Sequence, residues 1–398
     1  MYGICKTEFG DIDMIFIHLG DLHLGKTVND FNMIDDQKYI LNTILDIVDE
    51  RKVDAVLIAG DVYDKPLPSE EAVRLLNYFL SELSLRGCKT FMISGNHDSD
   101  ERLNFGSSLF EKSNIFITSM FDGKLKSYSM EDEHGKVNIY SLPFVKASWV
   151  RHYFPDAQID NYDDAVKTVL SSQNINFDER NILVAHQFVA GKGSDPERAG
   201  SENVSVINVG TVEKIGSDTL NGFDYVALGH IHSPQSVGAE NIRYSGSPLK
   251  YSLSEINNNK SVPLITLGKK GEMDIELIPL KPKRDMRRIK GNLQILLEKE
   301  NVSNTEDYIY AVLTDEEPLL GAMDILRQTY PYVMKMEISN SHTKEMSEFD
   351  FSKITEDKSF EELIREFYES MYGTSISDEE MELMLKVAGE AGVIDEAD

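Results

Sequence analysis

Five short apolar runs in this 398-residue chain each end in side chains able to bind a metal. Met14–Leu19 leads into Gly20-Asp21-Leu22-His23, Asp54–Ala59 into Gly60-Asp61, and Thr90–Ser94 into Gly95-Asn96-His97-Asp98. Asn181–Ala185 leads into His186, and Tyr225–Leu228 into Gly229-His230-Ile231-His232. Asp, His and Asn donors without Cys suit Mn2+, Fe2+, Zn2+ or Mg2+ rather than a soft metal. Such a set holds more donors than one tetrahedral ion uses. Two ions ~3.5–4 Å apart, bridged by a carboxylate, would use them all. Such a pair can hold a phosphate and present a hydroxide in line with the leaving oxygen. It would also supply positive charge that an acidic protein lacks.

Singly, each motif is weak. A Gly-Asp at a strand end is ordinarily a turn, and a lone His there is ordinarily hydrogen-bonded structure. All five together, in order, reverse that reading, because ligands in layered α/β folds collect at the carboxyl ends of strands. If the strands share one sheet, the side chains converge on one edge. His18, His134, His152 and His342 have no such company and read as structural or exposed.

The series GDLHLG (20–25), GDVYD (60–64), GNHD (95–98), His186 in AHQF and GHIH (229–232) resembles that of the calcineurin-like metallophosphoesterases. GDLHLGK near the start, YSGSPLKYSLSE (244–255) and a small α/β unit after Leu280 are similar to the SbcD branch, nuclease subunits of bacterial SbcCD complexes. The likeness covers Met14 to about Ile338, and the tail only by position. It implies a two-sheet α/β sandwich with a small α/β capping domain and a C-terminal helical tail. It implies Asp21, His23, Asp61 and His232 as ligands of one metal, and Asp61, Asn96, His186 and His230 as those of a second, with Asp61 bridging. Mn2+ is the family's usual ion, with Mg2+ the alternative. His97 is implied as a catalytic group that stabilises the transition state or protonates the leaving oxygen. Asp98 would orient it, as carboxylates orient histidines around metals. One departure stands out: archaeal and eukaryotic relatives carry a second histidine where this chain has Asp64, which is left without a role.

The activity so implied is double-strand exonuclease and hairpin or single-strand endonuclease. The implied partners are DNA ends and hairpins, the coiled-coil ATPase SbcC, and a second copy of the chain joined through helices near 69–110. Two rivals remain. One is a phosphatase or cyclic-nucleotide phosphodiesterase, which would need neither a capping domain nor an acidic helical tail. The other is a scaffold with a decayed site, against which the complete ligand set argues.

The elements that must position these residues are legible around them. Asp35–Arg51 places Ile40, Leu41, Ile44, Leu45 and Val48 on one helical face. A second helix runs from Ser69 through Leu85, carrying more apolar surface than one core-facing stripe needs. Strand, helix, strand, helix marks an α/β layered fold. Val137–Leu142 and Ile242–Ser245 read as strands, Asn161–Ser172 as a helix, and 262–279 as a hairpin around Gly271. Beyond Leu280 follow strand, helix (Leu293–Lys299), strand (Tyr308–Leu313), helix (Pro318–Gln328) and strand (Tyr332–Ile338). The expected domains are 14–280 for the nuclease, 281–340 for the cap, and 341–398 for a linker and an acidic helix–loop–helix. There Ser359 with Glu362, and Ser377 with Glu380, read as capping boxes. They open helices with apolar faces at Phe360, Leu363, Ile364 and Phe367, and at Met381, Met384, Leu385 and Ala388. Met14 is a candidate start, making 1–13 an N-terminal extension without the features of a signal peptide.

The charge balance is 40 basic against 68 acidic residues, a net of −28. That excludes holding nucleic acid by bulk positive charge, but not a local groove. Lys281–Lys290, rich in Lys and Arg, reads either as a solvated linker or as a contact to the DNA backbone. From Lys344 onward, 17 acidic and 5 basic residues give 5 − 17 = −12. This tail is expected to dock on SbcC. Two cysteines, Cys5 and Cys88, exclude a disulfide scaffold and a cysteine zinc site, and point to a reducing cytoplasm. No apolar run approaches the ~18 residues of a membrane span.

Overall fold

The runs Met14–Leu19, Ala55–Ala59 and Lys89–Ile93 are buried along nearly every residue, as parallel strands covered on both faces must be. In the computed structural model they lie side by side in parallel, with Ile115–Thr118 next to Lys89–Ile93. The hairpin Ser261–Leu267/Met273–Pro279 adds two antiparallel strands beside Met14–Leu19, completing a six-stranded sheet. A second six-stranded sheet runs Gln235–Val237, Ala239–Tyr244, Tyr225–Gly229, Arg180–His186, Gly135–Leu142, Lys126–Asp132. Its four inner strands are parallel and its two edges antiparallel. The structure describes residues 13–198, 214–317, 319–341, 359–372 and 374–390. Residues 1–12, with Cys5, and His342 lie outside the described residues.

The two sheets face each other across an apolar layer. Phe16, Leu57 and Phe91 of the first meet Ile139, Ile182, Val184 and Tyr225 of the second. The far face of the second sheet packs Leu183, Val226 and Leu228 against Val150, Val166 and Val169 of the helices Ala147–Tyr153 and Tyr162–Ser171. On the first sheet, helix Ile34–Arg51 buries Ile40, Leu41, Ile44, Leu45 and Val48. Helix Glu70–Leu85, capped by Ser69 Oγ accepting from Ala72 N at 3.2 Å, packs on Lys89–Ile93. The runs that carry the ligand types are divided between the two sheets. The strands leading to Asp21, Asp61 and Asn96 belong to the first sheet, and those leading to His186 and His230 to the second. Both sets are uniformly apolar, so their pattern carries no sheet assignment.

Arg180, only 2% exposed, holds the sheets together at the opposite end. Its guanidinium pairs with both carboxylate oxygens of Asp132 and donates to Gly135 O at 2.7 Å. It also reaches Gly268 O, at 2.9 Å, in the hairpin turn of the first sheet.

The chain divides into two units, Met1–Met286 and Arg287–Asp398. In the second, strands Met286–Gly291, Tyr308–Leu313 and Val333–Ile338 alternate with helices Leu293–Leu296 and Ala322–Thr329. Ile309, Ala311, Leu326, Tyr330 and Val333 form its core. The two helices are shorter than expected; Gly321, with φ 68°, sets the start of the second. The basic stretch is partly spent within each unit. Arg284 donates to buried Asp36 at 2.8 Å in the first, and Arg287 to Asp307 at 2.9 Å in the second.

The tail forms helices Phe360–Tyr372 and Asp378–Glu390. Both capping boxes close reciprocally: Ser359 N to Glu362 Oε2 at 2.9 Å with Glu362 N to Ser359 Oγ at 3.3 Å, and Ser377 N to Glu380 Oε2 at 3.0 Å with Glu380 N to Ser377 Oγ at 3.3 Å. Ile364, Ile376 and Met381 join the helices, leaving Phe367 45% and Met384 41% exposed. Among the described residues no helix is long and apolar enough to cross a membrane.

Candidate metal centre

Four of the five apolar runs lead into loops that carry the polar side chains, while His186 is the last residue of its own strand. After Leu19 and Ala59 the two loops run side by side: Asp21 N donates to Gly60 O at 3.1 Å and His23 N to Asp61 O at 2.9 Å. The turns need left-handed backbone. Asp21, His23, Asp61 and His230 have φ of 54°, 43°, 48° and 101°, values that residues other than glycine rarely adopt. Strain of this kind concentrates at functional sites. The glycines answer a different need, close approach. A Cβ on Gly229 would lie 1.8 Å from Ala59 O, and one on Gly95 2.1 Å from Asp61 Oδ1. The two sheets touch at Gly229 and two loops of the first sheet at Gly95, and no side chain fits at either.

The ligand-type atoms meet in this gap. His23 Nε2 lies 3.1 Å from His232 Nε2 and 3.6 Å from Asp61 Oδ2. His186 Nε2 lies 3.5 Å from the same Asp61 oxygen and 3.1 Å from Asn96 Oδ1, which is 3.0 Å from His230 Nδ1. Asp21 accepts from His230 N at 2.9 Å. Two triplets, Asp21/His23/His232 and Asp21/Asp61/His186, each present ligand atoms within 4.8 Å of one another. A third, His23/Asp61/His97, does so too, with His97 Nε2 4.0 Å from Asp61 Oδ2. Asp61 is thus within reach of both halves of the cluster. Two imidazole nitrogens facing each other at 3.1 Å, beside buried carboxylates, are the donor set a divalent pair would satisfy.

Burial pushes His23 well below its usual range, despite Asp61 beside it, and takes His230 down to about 3, with His186 adding to the effect. Neutral imidazole is the form that ligates. Burial would raise Asp61, but His186, His23 and His97 hold it well below the carboxylate range. Asp21 rises to about 6, through burial and the charge of Asp61.

A second layer orients the first. His186 Nδ1 donates to Ala59 O at 2.8 Å, which leaves Nε2 facing the cluster. His232 Nδ1 lies 3.5 Å from Glu255, whose carboxylate Lys260 anchors at 2.5 Å while also donating to His232 O at 2.8 Å. Gln37 donates to His23 O at 2.8 Å and accepts from Gly25 N at 2.9 Å. Asp64 lies 3.6 Å from His23 Nδ1 and pairs with Lys26 at 2.7 Å. His97 Nδ1 donates to the Asp64 carbonyl at 3.0 Å. Asp98 reaches the backbone of these loops rather than the His97 ring itself. Its carboxylate accepts from Val62 N, Tyr63 N and Gly95 N at 3.1, 2.9 and 2.9 Å, bracing the two loops. The carbonyl of Asp64, not Asp98, meets the His97 ring. Gln37, Glu255 and Lys260 were not singled out from sequence; the one signal was the YSLSE run ending at Glu255.

Residues 14–234 match the family model described as calcineurin-like phosphoesterase. The chain belongs to that family. Residues 282–372 match a second model, described as a type 5 capsule protein repressor C-terminal domain. The chain is 34% identical over 370 residues to the SbcD component of the nuclease SbcCD from Staphylococcus epidermidis, covering 92% of this chain and 95% of the relative. A zebrafish (Danio rerio) dimetal phosphatase structure aligns over 68% of this chain and 98% of its own, at 13% identity and a TM-score of 0.38.

Proposed function

We propose that this chain is the metal-dependent nuclease subunit of an SbcCD-type complex, hydrolysing DNA phosphodiesters at the cluster around Asp61. One observation carries the reading. The likeness to a nuclease subunit runs nearly end to end. The ligand-type side chains that lie close together around Asp61 support a metal-dependent reaction beside it. Asp21, His23, Asp61 and His232 would hold one ion and Asp61, Asn96, His186 and His230 the other. Mn2+ suits this oxygen–nitrogen set, as does Mg2+ less fully. A bound pair supplies Lewis-acid charge for the phosphoryl oxygens and acidifies water.

The chain's own groups supply the rest. His97 Nδ1 donates to a carbonyl, which cannot donate back, so that nitrogen keeps its proton. Nε2 is left on the cluster side; once it too is protonated, the imidazolium would give that proton to the leaving oxygen or set positive charge beside the phosphate. Asp98, the Gly95 turn and the Asp64 carbonyl hold that ring in place. Substrates would be duplex ends for exonuclease action and hairpins or single strands for endonuclease action.

The acidic tail would bind SbcC, and a second copy would pair through the Glu70–Leu85 region. There Val73 and Leu85, 45% and 80% exposed, line one groove with Phe105, 83% exposed. The site of action proposed is the cytoplasm. Plasmid nicking and hairpin cleavage with Mn2+, run beside hydrolysis of a small phosphodiester, test the reading. DNA cleavage abolished by chelation is expected. Turnover of the small ester alone would turn the assignment to a phosphatase or cyclic-nucleotide phosphodiesterase.

A further inference from the structure

Aromatic rings adjoin two histidines of the metal centre and are not ligands themselves. The Phe144 ring meets the His186 ring edge-on at 6.4 Å, and Trp149 meets Phe144 at 6.4 Å. Phe188 meets the His230 ring at 6.4 Å, and the His186 and His230 rings lie 5.3 Å apart. Each group carries a cation: Lys146 Nζ lies 5.5 Å from the Trp149 ring centre, and the Arg198 guanidinium 4.8 Å from that of Phe188. Trp149 is 41% exposed, Lys146 and Arg198 are exposed, and Phe144 and Phe188 are half-buried. Their placement follows from the fold. Phe144 N donates to Ser94 O at 3.1 Å, tying the end of one sheet's strand to the turn that carries Asn96 in the other. Phe188 follows His186 by two residues, and its carbonyl accepts from Ile215 N at 2.9 Å.

We infer that Phe144, Trp149 and Phe188, with Lys146 and Arg198, form a stacking platform for unpaired nucleobases next to the phosphate at the metal centre. The inference rests on the nuclease reading above. Flat rings beside cations are what single strands bind, since every base has a π-face and every linkage a negative phosphate. In a chain of net charge −28, cations set on rings at this mouth complement the strand. Paired bases have their faces covered by neighbours, so the platform selects frayed ends, hairpin loops and single strands over intact duplex.

The chain has a single tryptophan, so its fluorescence reports on Trp149 alone. The full-length protein is titrated with oligothymidylate and with an abasic strand of equal length, Ca2+ replacing Mn2+ during binding. The expected result is quenching of Trp149 by the base-bearing strand only, and binding roughly tenfold tighter than for the abasic one. Trp149→Ala should bring that ratio towards one, Trp149→Phe should restore it, and metal content should stay at the wild-type level in both. Equal affinity of the wild type for the two strands, or unchanged emission, overturns the platform. Adding Mn2+ to the same samples separates the two readings. Cleavage with equal affinities sinks the platform alone, whereas no cleavage of any strand sinks the nuclease reading beneath it.

Discussion

At the scale of residues, Asp61 and His97 carry the account, and they should fail differently. Asp61 lies 3.6 Å from His23 Nε2 and 3.5 Å from His186 Nε2 through one oxygen. An amide offers one neutral oxygen where a shared anionic group is needed. Asp61→Asn should therefore lower occupancy of both ions, whereas His23→Ala should mainly empty one. Metal analysis of the purified variants decides, and two full ions in Asp61→Asn would refute the bridge. His97→Asn should keep its metals and lose cleavage by ~10²–10⁴-fold, the usual worth of a general acid. Near-normal turnover would remove His97 from the chemistry, and loss of metal would make it a ligand. The residues that meet in this cluster are legible in sequence because each is a metal-binding type just after an apolar run. Gln37, Glu255 and Lys260 are not, because they act across the fold. Gln37 bonds the backbone of His23, and Lys260 that of His232, and nothing local marks either. Asp98 is legible only in part, for the same reason. Adjacency to His97 suggests a pair, but its oxygens satisfy three backbone N–H groups of the turns.

At the scale of elements, Arg180 is the joint that holds the sheets in register far from the chemistry. Removing one partner of a buried ion pair leaves the other unsatisfied and typically costs ~3–5 kcal/mol. Arg180→Met should thus lower unfolding stability by about 3 kcal/mol without emptying the metal centre. Burial would raise Asp132, but its hydrogen bonds to Arg180 hold it below the usual carboxylate range. A depressed carboxylate stabilises the fold above its unfolded pKa and loses that contribution as pH falls through the folded value. The gap between wild type and variant in urea unfolding should therefore be full at neutral pH and shrink below roughly pH 4. A gap unchanged by acid would refute the role of Asp132. Buried parallel strands such as Ala55–Ala59 are legible as apolar runs, and the amphipathic helices by their period. Edge strands are not. Lys126–Asp132, KSYSMED, is mostly solvent-facing and shows no alternation strong enough to read. The allocation of strands to two sheets is equally hidden, since all the inner strands look alike.

At the scale of the whole molecule, the tail and the metal centre make separate commitments. The paired helices hide Ile364, Ile376 and Met381 but leave Phe367, Leu383, Met384 and Val387 exposed, an apolar surface set in strong negative charge. Such a surface suits helix-in-groove binding to a basic partner. Deleting Ser359–Asp398 should abolish co-purification with SbcC while leaving metal content and single-strand cleavage in place. Unchanged affinity for SbcC would disprove the docking role. Two ions sharing Asp61 should cut DNA only together, which a stepwise return of Mn2+ to the metal-free chain tests while hairpin cleavage is followed. Cleavage that rises with the second equivalent per chain and then stays level is the predicted result. Full cleavage at one ion per chain, or none at two, would contradict it.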